Sequence, residues 1–166
     1  MSGATLDIQI DDRSALAMLA GLQARAADLT PAMQAIGEHI IETTQVRFDA
    51  QVAPDGTAWQ PDNPGYWASK KIKKVLTESS RLRGSVVYKA GRDQVVVGTN
   101  VLYAAVHQFG ATIVPVQAKR LRFQIGSHVV YAKKVTIPAR PFLGVNDTDQ
   151  KAIMATIQDF LLGATA

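Results

Sequence analysis

The chain contains no cysteine, which excludes disulfides, thiolate metal sites and cysteine nucleophiles. Folding in a reducing cytoplasm agrees with that absence. Histidine is scarce: His39, His107 and His128 each stand alone, so the HxxxH and HExxH patterns of a local metal site do not occur. There is no GxSxG elbow, Walker loop or GxGxxG, and Gly98-Thr99-Asn100 reads as a turn rather than a phosphate cradle. Nowhere do apolar residues run for the ~20 positions of a membrane span. The opening MSGATLDIQI lacks a basic segment followed by an apolar one, so no secretory signal is expected. Hydrolytic or transfer chemistry needs a nucleophile, a base and an orienting group. No such set is local here, and the expectation is a protein without catalytic residues, cofactor or metal. The enzyme alternative needs a composite pocket around His107.

Acidic residues are missing from one part of the chain. Residues 1–68 hold three basic against nine acidic side chains, a net of −6. Residues 69–140 hold fourteen basic against Glu78 and Asp93 alone, a net of +12, and residues 141–166 return −2. These sum to the formal charge of +4. Such a split can drive head-to-tail self-association or contact with nucleic acid, or simply leave two solvated faces of different sign. At 166 residues the expectation is one domain, 1–166, long enough to bury a core.

The stretch Val95–Gly110, VVVGTNVLYAAVHQFG, organises what is there. Its valines predict a buried strand, Gly98-Thr99-Asn100 interrupts it, and an apolar helix over 101–108 follows, with Asn100 as its cap. Tyr103 and His107 fall on one face of that helix. Upstream, Leu6, Ile8 and Ile10 alternate with polar residues like a short strand. Asp11 or Asp12 can cap a helix over 13–28 with Leu16, Leu19, Leu22, Ala26 and Leu29 as its core stripe. Thr30-Pro31 predicts the start of a second helix, 31–49, facing the core through Met33, Ile36, Ile40, Thr44 and Phe48.

Residues 50–68, AQVAPDGTAWQPDNPGYWA, predict a long irregular loop. It carries both tryptophans, Trp59 and Trp67, with Tyr66 beside the second. Aromatics in such a loop either fold back onto the core or anchor a partner. Lys70, Lys71, Lys73 and Lys74 follow as a basic run, then a short helical segment ending near Arg83-Gly84. Strands Ser85–Lys89 and Gln94–Gly98 flank a Gly91-Arg92-Asp93 turn.

Residues 118–136 predict an extended hairpin turning at Gly126-Ser127. That register pairs Ile125 with His128, Phe123 with Val130 and Leu121 with Ala132 on one face. The other face pairs Arg122 with Tyr131 and Arg120 with Lys133. Like charges across a ladder call for solvent or an anionic partner. Pro138 and Pro141 force an extended path over 137–144, where Phe142 and Leu143 are apolar enough to be held against the core. Asn146 or Asp147 starts the last helix. Asp147 with Gln150 has capping-box spacing, and Ile153, Ile157, Phe160 and Leu161 form the buried stripe. The expected fold class is α+β: an antiparallel sheet of about four to five strands with an extended hairpin, packed by two N-terminal helices, a short central helix and a C-terminal helix.

Several blocks together resemble one family. They are Phe48 followed by Pro54-Asp55-Gly56-Thr57-Ala58-Trp59-Gln60-Pro61, then Leu82 with Ser85-Val86, then Val97-Gly98-Thr99-Asn100. Tyr103-Ala104 with His107-Gln108-Phe109-Gly110 come next, and Ile137-Pro138-Ala139-Arg140-Pro141-Phe142-Leu143-Gly144 precedes a terminal helix. Spread over roughly residues 30–160, they resemble the phage virion morphogenesis family of tailed bacteriophages and prophages. One departure is Glu78-Ser79-Ser80-Arg81-Leu82, where such proteins often carry Thr-Gly before the leucine; it bears on the local turn.

The resemblance implies a non-enzymatic structural protein of the tail's head-proximal end or neck. Its work would be tail completion and head–tail joining, through a homo-oligomeric ring that is often sixfold. Its partners would be itself and other tail, neck or connector proteins. Its place would be the virion, and the host cytoplasm during assembly, with no membrane. The candidate partner contacts are Trp59, Tyr66 and Trp67, Lys70, Lys71, Lys73 and Lys74, and on the hairpin Arg120, Arg122, Lys133 and Lys134. The candidate structural motif is Tyr103, His107, Phe109, Pro138, Arg140, Pro141 and Phe142. The second reading is an accessory protein binding DNA non-specifically through these cations with Arg81 and Arg83; no sequence-reading element accompanies them.

Overall fold

Met33, Ile36, Ile40, Thr44 and Phe48 recur at helical spacing, and the structure buries every one of them. Their helix is the beam on which the other elements lie in the computed structural model, which describes residues 12–163. The order is α1 (Arg13–Ala26), α2 (Thr30–Ala50), α3 (Pro64–Ser69), α4 (Arg81–Gly84), β1 (Val86–Ala90), β2 (Val95–Thr99), α5 (Ala104–Phe109), β3 (Ala111–Ile113), β4 (Leu121–Ile125), β5 (His128–Ala132), β6 (Val135–Ile137) and α6 (Asp147–Leu162). The fold class is α+β with antiparallel strands, as expected. The segment read as a strand over 6–10 lies outside the described residues.

One end of α2 carries Met33, Ile36 and Ile40, which pack with Val95 and Val97 of β2 and with Ile153 and Ile157 of α6. Its other end delivers Phe48 to a second cluster with Trp59, Leu82, Val86, Val101, Ala104 and Phe142. Helix periodicity therefore feeds two cores from a single stripe. Asn146 opens α6 and shares a reciprocal capping box with Asp149, one position earlier than the Asp147–Gln150 spacing suggested.

The strands form three separate two-stranded ladders, β1–β2, β3–β6 and β4–β5, instead of one continuous sheet. The β4–β5 register is the expected one, with Ile125 opposite His128, Arg122 opposite Tyr131 and Leu121 opposite Ala132. Gly126 supplies the positive φ of 59° that the turn requires. The ladder stops at Leu121, so Arg120 and Lys133 lie beyond its last pair. Residues 135–137 leave the hairpin and pair with 111–113, a long-range match to which local alternation gives no clue.

Four local expectations change. The N-cap position of α2 is Leu29, which makes no side-chain cap, and Thr30 is the first helical residue; the Asp28 carboxylate accepts from the Thr30 backbone N–H at 3.0 Å and the Thr30 hydroxyl at 2.5 Å. α5 begins after Tyr103, so Asn100 is not its cap. The loop over 50–68 contains helix α3, started by Asn63, whose side chain accepts from the Gly65 N–H, and by Pro64. Finally, no residue of α1 is buried. Leu22 and Leu29 are half-covered, while Leu16 and Leu19 face outward. The helix is tied down at its far end, where Arg25 donates to the Leu161 carbonyl at 2.8 Å.

Candidate functional site

The two blocks that sequence reasoning singled out, 103–110 and 137–144, are joined directly. His107 presents its carbonyl to the Arg140 N–H at 2.7 Å. The Gln108 side chain acts as a missing strand: its Oε1 accepts from the Phe142 and Leu143 N–H groups at 3.1 and 3.0 Å, and its Nε2 donates to the Leu143 carbonyl at 2.8 Å. The prolines leave that extended segment no ladder of its own, and one amide supplies the backbone bonds it lacks.

Gly110 permits the approach. Its φ is +73° and ψ 161°, and a Cβ there would sit 2.8 Å from the Ala139 nitrogen. Gly110→Ala is expected to cost about 1–3 kcal/mol, read as a lower urea midpoint at unchanged slope. A midpoint equal to the parent's would show that this crossing is loose.

The Trp59 loop is sewn to the same segment. The Trp59 indole N–H donates to the Pro141 carbonyl at 2.8 Å, and its ring stands edge-on to Phe48 at 5.3 Å. Arg140 donates to the carbonyls of Gln60 at 2.8 Å and Pro61 at 3.1 Å. Arg140 also pairs with Asp62 at 3.1 Å, and Lys70 takes the other oxygen of that carboxylate at 2.9 Å. Both cations are buried. A buried charge must be paired or it is costly, and Asp62 pairs two.

Trp59 and Lys70 are therefore interior groups, and they leave the set of exposed contacts. Of that set, Tyr66 and Trp67 are half-buried, with the Lys70 ammonium 5.4 and 6.0 Å from their ring centres. Lys73 donates to the carbonyls of Trp67 and Ala68 at the end of α3. Lys74 and Arg83 share Asp49, at 3.3 and 2.7 Å. Lys71, Arg120, Arg122, Lys133 and Lys134 are exposed. Sequence reasoning missed Asp62, Gln108 and the buried pair Arg47–Asp149. Helical spacing sets Arg47 beside Thr44 and Phe48, but a cation is normally exposed, and only the tertiary structure brings Asp149 opposite it.

Asp62, Tyr66, Arg81, Tyr103, His107 and Arg140 line a cleft of about 300 Å³. His107 is half-buried there, edge-on to Tyr103 at 5.8 Å. Its Nδ1 is buried with no hydrogen-bond partner among the described residues, contrary to the usual rule for a buried imidazole. Burial, and next the Arg140 cation, hold the imidazole below its ordinary pKa of 6.5. Among the described residues no carboxylate hydrogen-bonds it, and Asp62 is engaged by Lys70 and Arg140. Among the described residues no cluster of histidines and carboxylates could hold a metal, and no helix is long and apolar enough to cross a membrane.

The lowered pKa fixes a sign. The unfolded chain takes up a proton at His107 below about pH 6.5 while the folded chain resists it, so stability is full above that pH and falls below it. His107→Gln is expected to flatten the stability profile between about pH 7 and pH 5. An identical slope in the variant would assign the titration to another group.

The motif residues hydrogen-bond one another and hold blocks 103–110 and 137–144 together within an α+β fold. The chain belongs to the phage virion morphogenesis family, whose model matches residues 10–161. It is similar to the "Mu-like prophage FluMu G protein 2" of Haemophilus influenzae, 34% identical over 96 residues, which is 57% of this chain and 58% of that protein. It is also similar to the "Putative capsid assembly protein G" of Escherichia phage Mu, 26% identical over 125 residues, or 72% of this chain and 70% of that one. The chain thus spans less than two thirds of the Haemophilus relative. No solved structure matches it. Membership places the chain in the structural assembly of phage particles, where the family resemblance of its motif blocks had pointed.

Proposed function

We propose that the chain is one virion morphogenesis domain acting at the tail's head-proximal end or neck, in tail completion and head–tail joining, as a homo-oligomeric ring. One observation carries the reading: large apolar side chains stand exposed at both α1 and α5, in a chain whose charge is split along its length. A ring needs two different patches that fit each other and close. Leu16 and Leu19 of α1 are exposed, as are Leu102 and Phe109 at α5, and residues 1–68 carry a net −6 against +12 over 69–140. Other tail, neck or connector proteins are the further partners, with Tyr66 and Trp67 at the edge of the surface offered to them. Native mass spectrometry and electron microscopy of the purified protein should show a closed ring. Monomer at high concentration, with no attachment to tail tubes, would overturn the reading.

A second reading, non-specific contact with DNA in the ring's lumen, is favoured by the hairpin. Lys119, Arg120, Arg122, Lys133 and Lys134 are all exposed, and no ion pair neutralises them among the described residues. Anisotropy titration should give an affinity falling with salt at roughly −0.9 in log–log slope per phosphate contacted. Arg120→Glu with Lys133→Glu should reduce both affinity and slope. Affinity independent of salt removes this reading.

A further inference from the structure

The cleft of about 300 Å³ beside α3, α4 and α5 is rich in hydrogen-bond donors and short of acceptors. The Arg81 guanidinium is exposed and enters no hydrogen bond or ion pair among the described residues. Arg140 spends its Nε and Nη2 on Gln60, Pro61 and Asp62, so its Nη1 has no bond among those residues. The hydroxyls of Tyr66 and Tyr103, which also line the cleft, form none either. The buried Nδ1 of His107 is the fifth group without a partner.

Charge is unbalanced in the same sense. Lys70 and Arg140 are buried and share the single carboxylate of Asp62, which leaves one positive charge in excess. A buried cation without its own anion is costly. Arg81 adds another cation to the lining, and Glu78 is the carboxylate that opposes it. Three cations therefore face two carboxylates. The wall of the cleft is strained as well. Leu76 and Ser80 have φ of 58° and 55°, in the left-handed region that residues with a Cβ rarely adopt. Leu76 lines the cleft, and Ser80 lies between Ser79 and Arg81, which do so too. Residues held in this way concentrate at ligand clamps.

We propose that this cleft receives a carboxylate presented by a partner protein, on an acidic side chain or at a chain terminus, with Arg81 and Arg140 as its counter-ions. A planar carboxylate matches the guanidinium fork, and the two phenols supply further donors. A side chain or a chain end is slim enough to enter a recess of this size. The phosphates of a DNA duplex are fixed on a wide rod and suit the exposed cations of the hairpin instead. The inference rests on the reading that other phage proteins dock on this chain, and it names the group that one of them presents.

The test is a titration of the full chain, followed in its ¹⁵N spectra, with three blocked probes. Acetyl-glutamate amide offers a side-chain acid, acetyl-Ala-Ala offers a terminal one, and acetyl-glutamine amide is the neutral control. At least one acid should shift the His107 imidazole and the amides of residues 76–82 and 103–107 saturably, and the tighter acid names the source. The glutamine probe should leave those signals in place. Arg81→Gln, at an exposed position, should keep the melting temperature and weaken binding about tenfold. Tyr103→Phe keeps the ring against His107 and should weaken it less, while Glu78→Gln removes the opposing charge and should strengthen it. The inference is overturned by an absence of saturation, by equal binding of the glutamine probe, or by an Arg81→Gln affinity equal to the parent's. Shifts confined to the hairpin, or the same cleft signals moved more strongly by inorganic phosphate or a DNA duplex, overturn it too. The titration needs no assembly, so such a failure leaves the ring reading standing. A monomeric protein that binds the acids in the cleft keeps this inference and overturns the ring.

Discussion

Phe142→Ala should cost about 3–5 kcal/mol of stability. Phe142 is 1% exposed and its ring lies 5.5 Å from that of Phe48, which in turn meets Trp59. Each such ring contact adds about 0.5–1.5 kcal/mol beyond burial. Phe142 is also where three parts of the chain are held together. Its N–H bonds Gln108, its neighbour Pro141 receives the Trp59 indole, and Arg47 of α2 reaches its carbonyl at 3.5 Å. The cavity left by truncation cannot collapse easily, because those backbone bonds keep the walls apart. Urea denaturation is the measurement, with Phe142→Leu as the milder control. A loss below about 1 kcal/mol for the alanine variant would mean that the segment is not pinned by this ring.

The second large effect is electrostatic. Asp149→Ala should destabilise the chain by about 3–5 kcal/mol, since it strands the Arg47 guanidinium inside the protein. Asp149 bonds Arg47, accepts the Asn146 N–H at 3.1 Å as part of the α6 cap, and lies 3.2 Å from His39 Nε2. Arg47 also donates to the Gly144 carbonyl at 2.8 Å. The pair therefore joins α2, α6 and the 137–144 segment in one buried group. A double-mutant cycle with Arg47→Met decides the matter. Coupling above about 1 kcal/mol is expected, because removing both charges leaves neither one unpaired. Additive losses would show that the two residues act independently.

Legibility was uneven for reasons that particular residues make plain. The α2 stripe and the β4–β5 register were readable because periodicity and a glycine turn act between near neighbours. The burial of Phe142 was readable too, because Pro138 and Pro141 before it force an extended path and left the apolar pair Phe142-Leu143 little choice but the core. The candidate site was half readable. Blocks 103–110 and 137–144 could be named as units, yet Gln108, which joins them, looked like any polar residue in a helix. Trp59 illustrates a fork that composition left open: a loop aromatic either anchors a partner or folds back, and only the Pro141 carbonyl opposite its N–H decided for the interior. Lys70 was misread because four lysines in five positions look like a solvated charge run, and nothing nearby reveals that Asp62 waits inside.

By itself, then, the sequence determined the long helices α1, α2 and α6, the hairpin register, the α+β class and, through the order of its motif blocks, the family. Each of these depends on spacing along the chain, which a single sequence carries in full. Only the tertiary structure decided that Lys70 and Arg140 are buried on Asp62, that residues 135–137 pair with 111–113, and that no residue of α1 is buried among the described residues. Burial depends on what lies opposite a side chain in space, and residues far apart in sequence supply that.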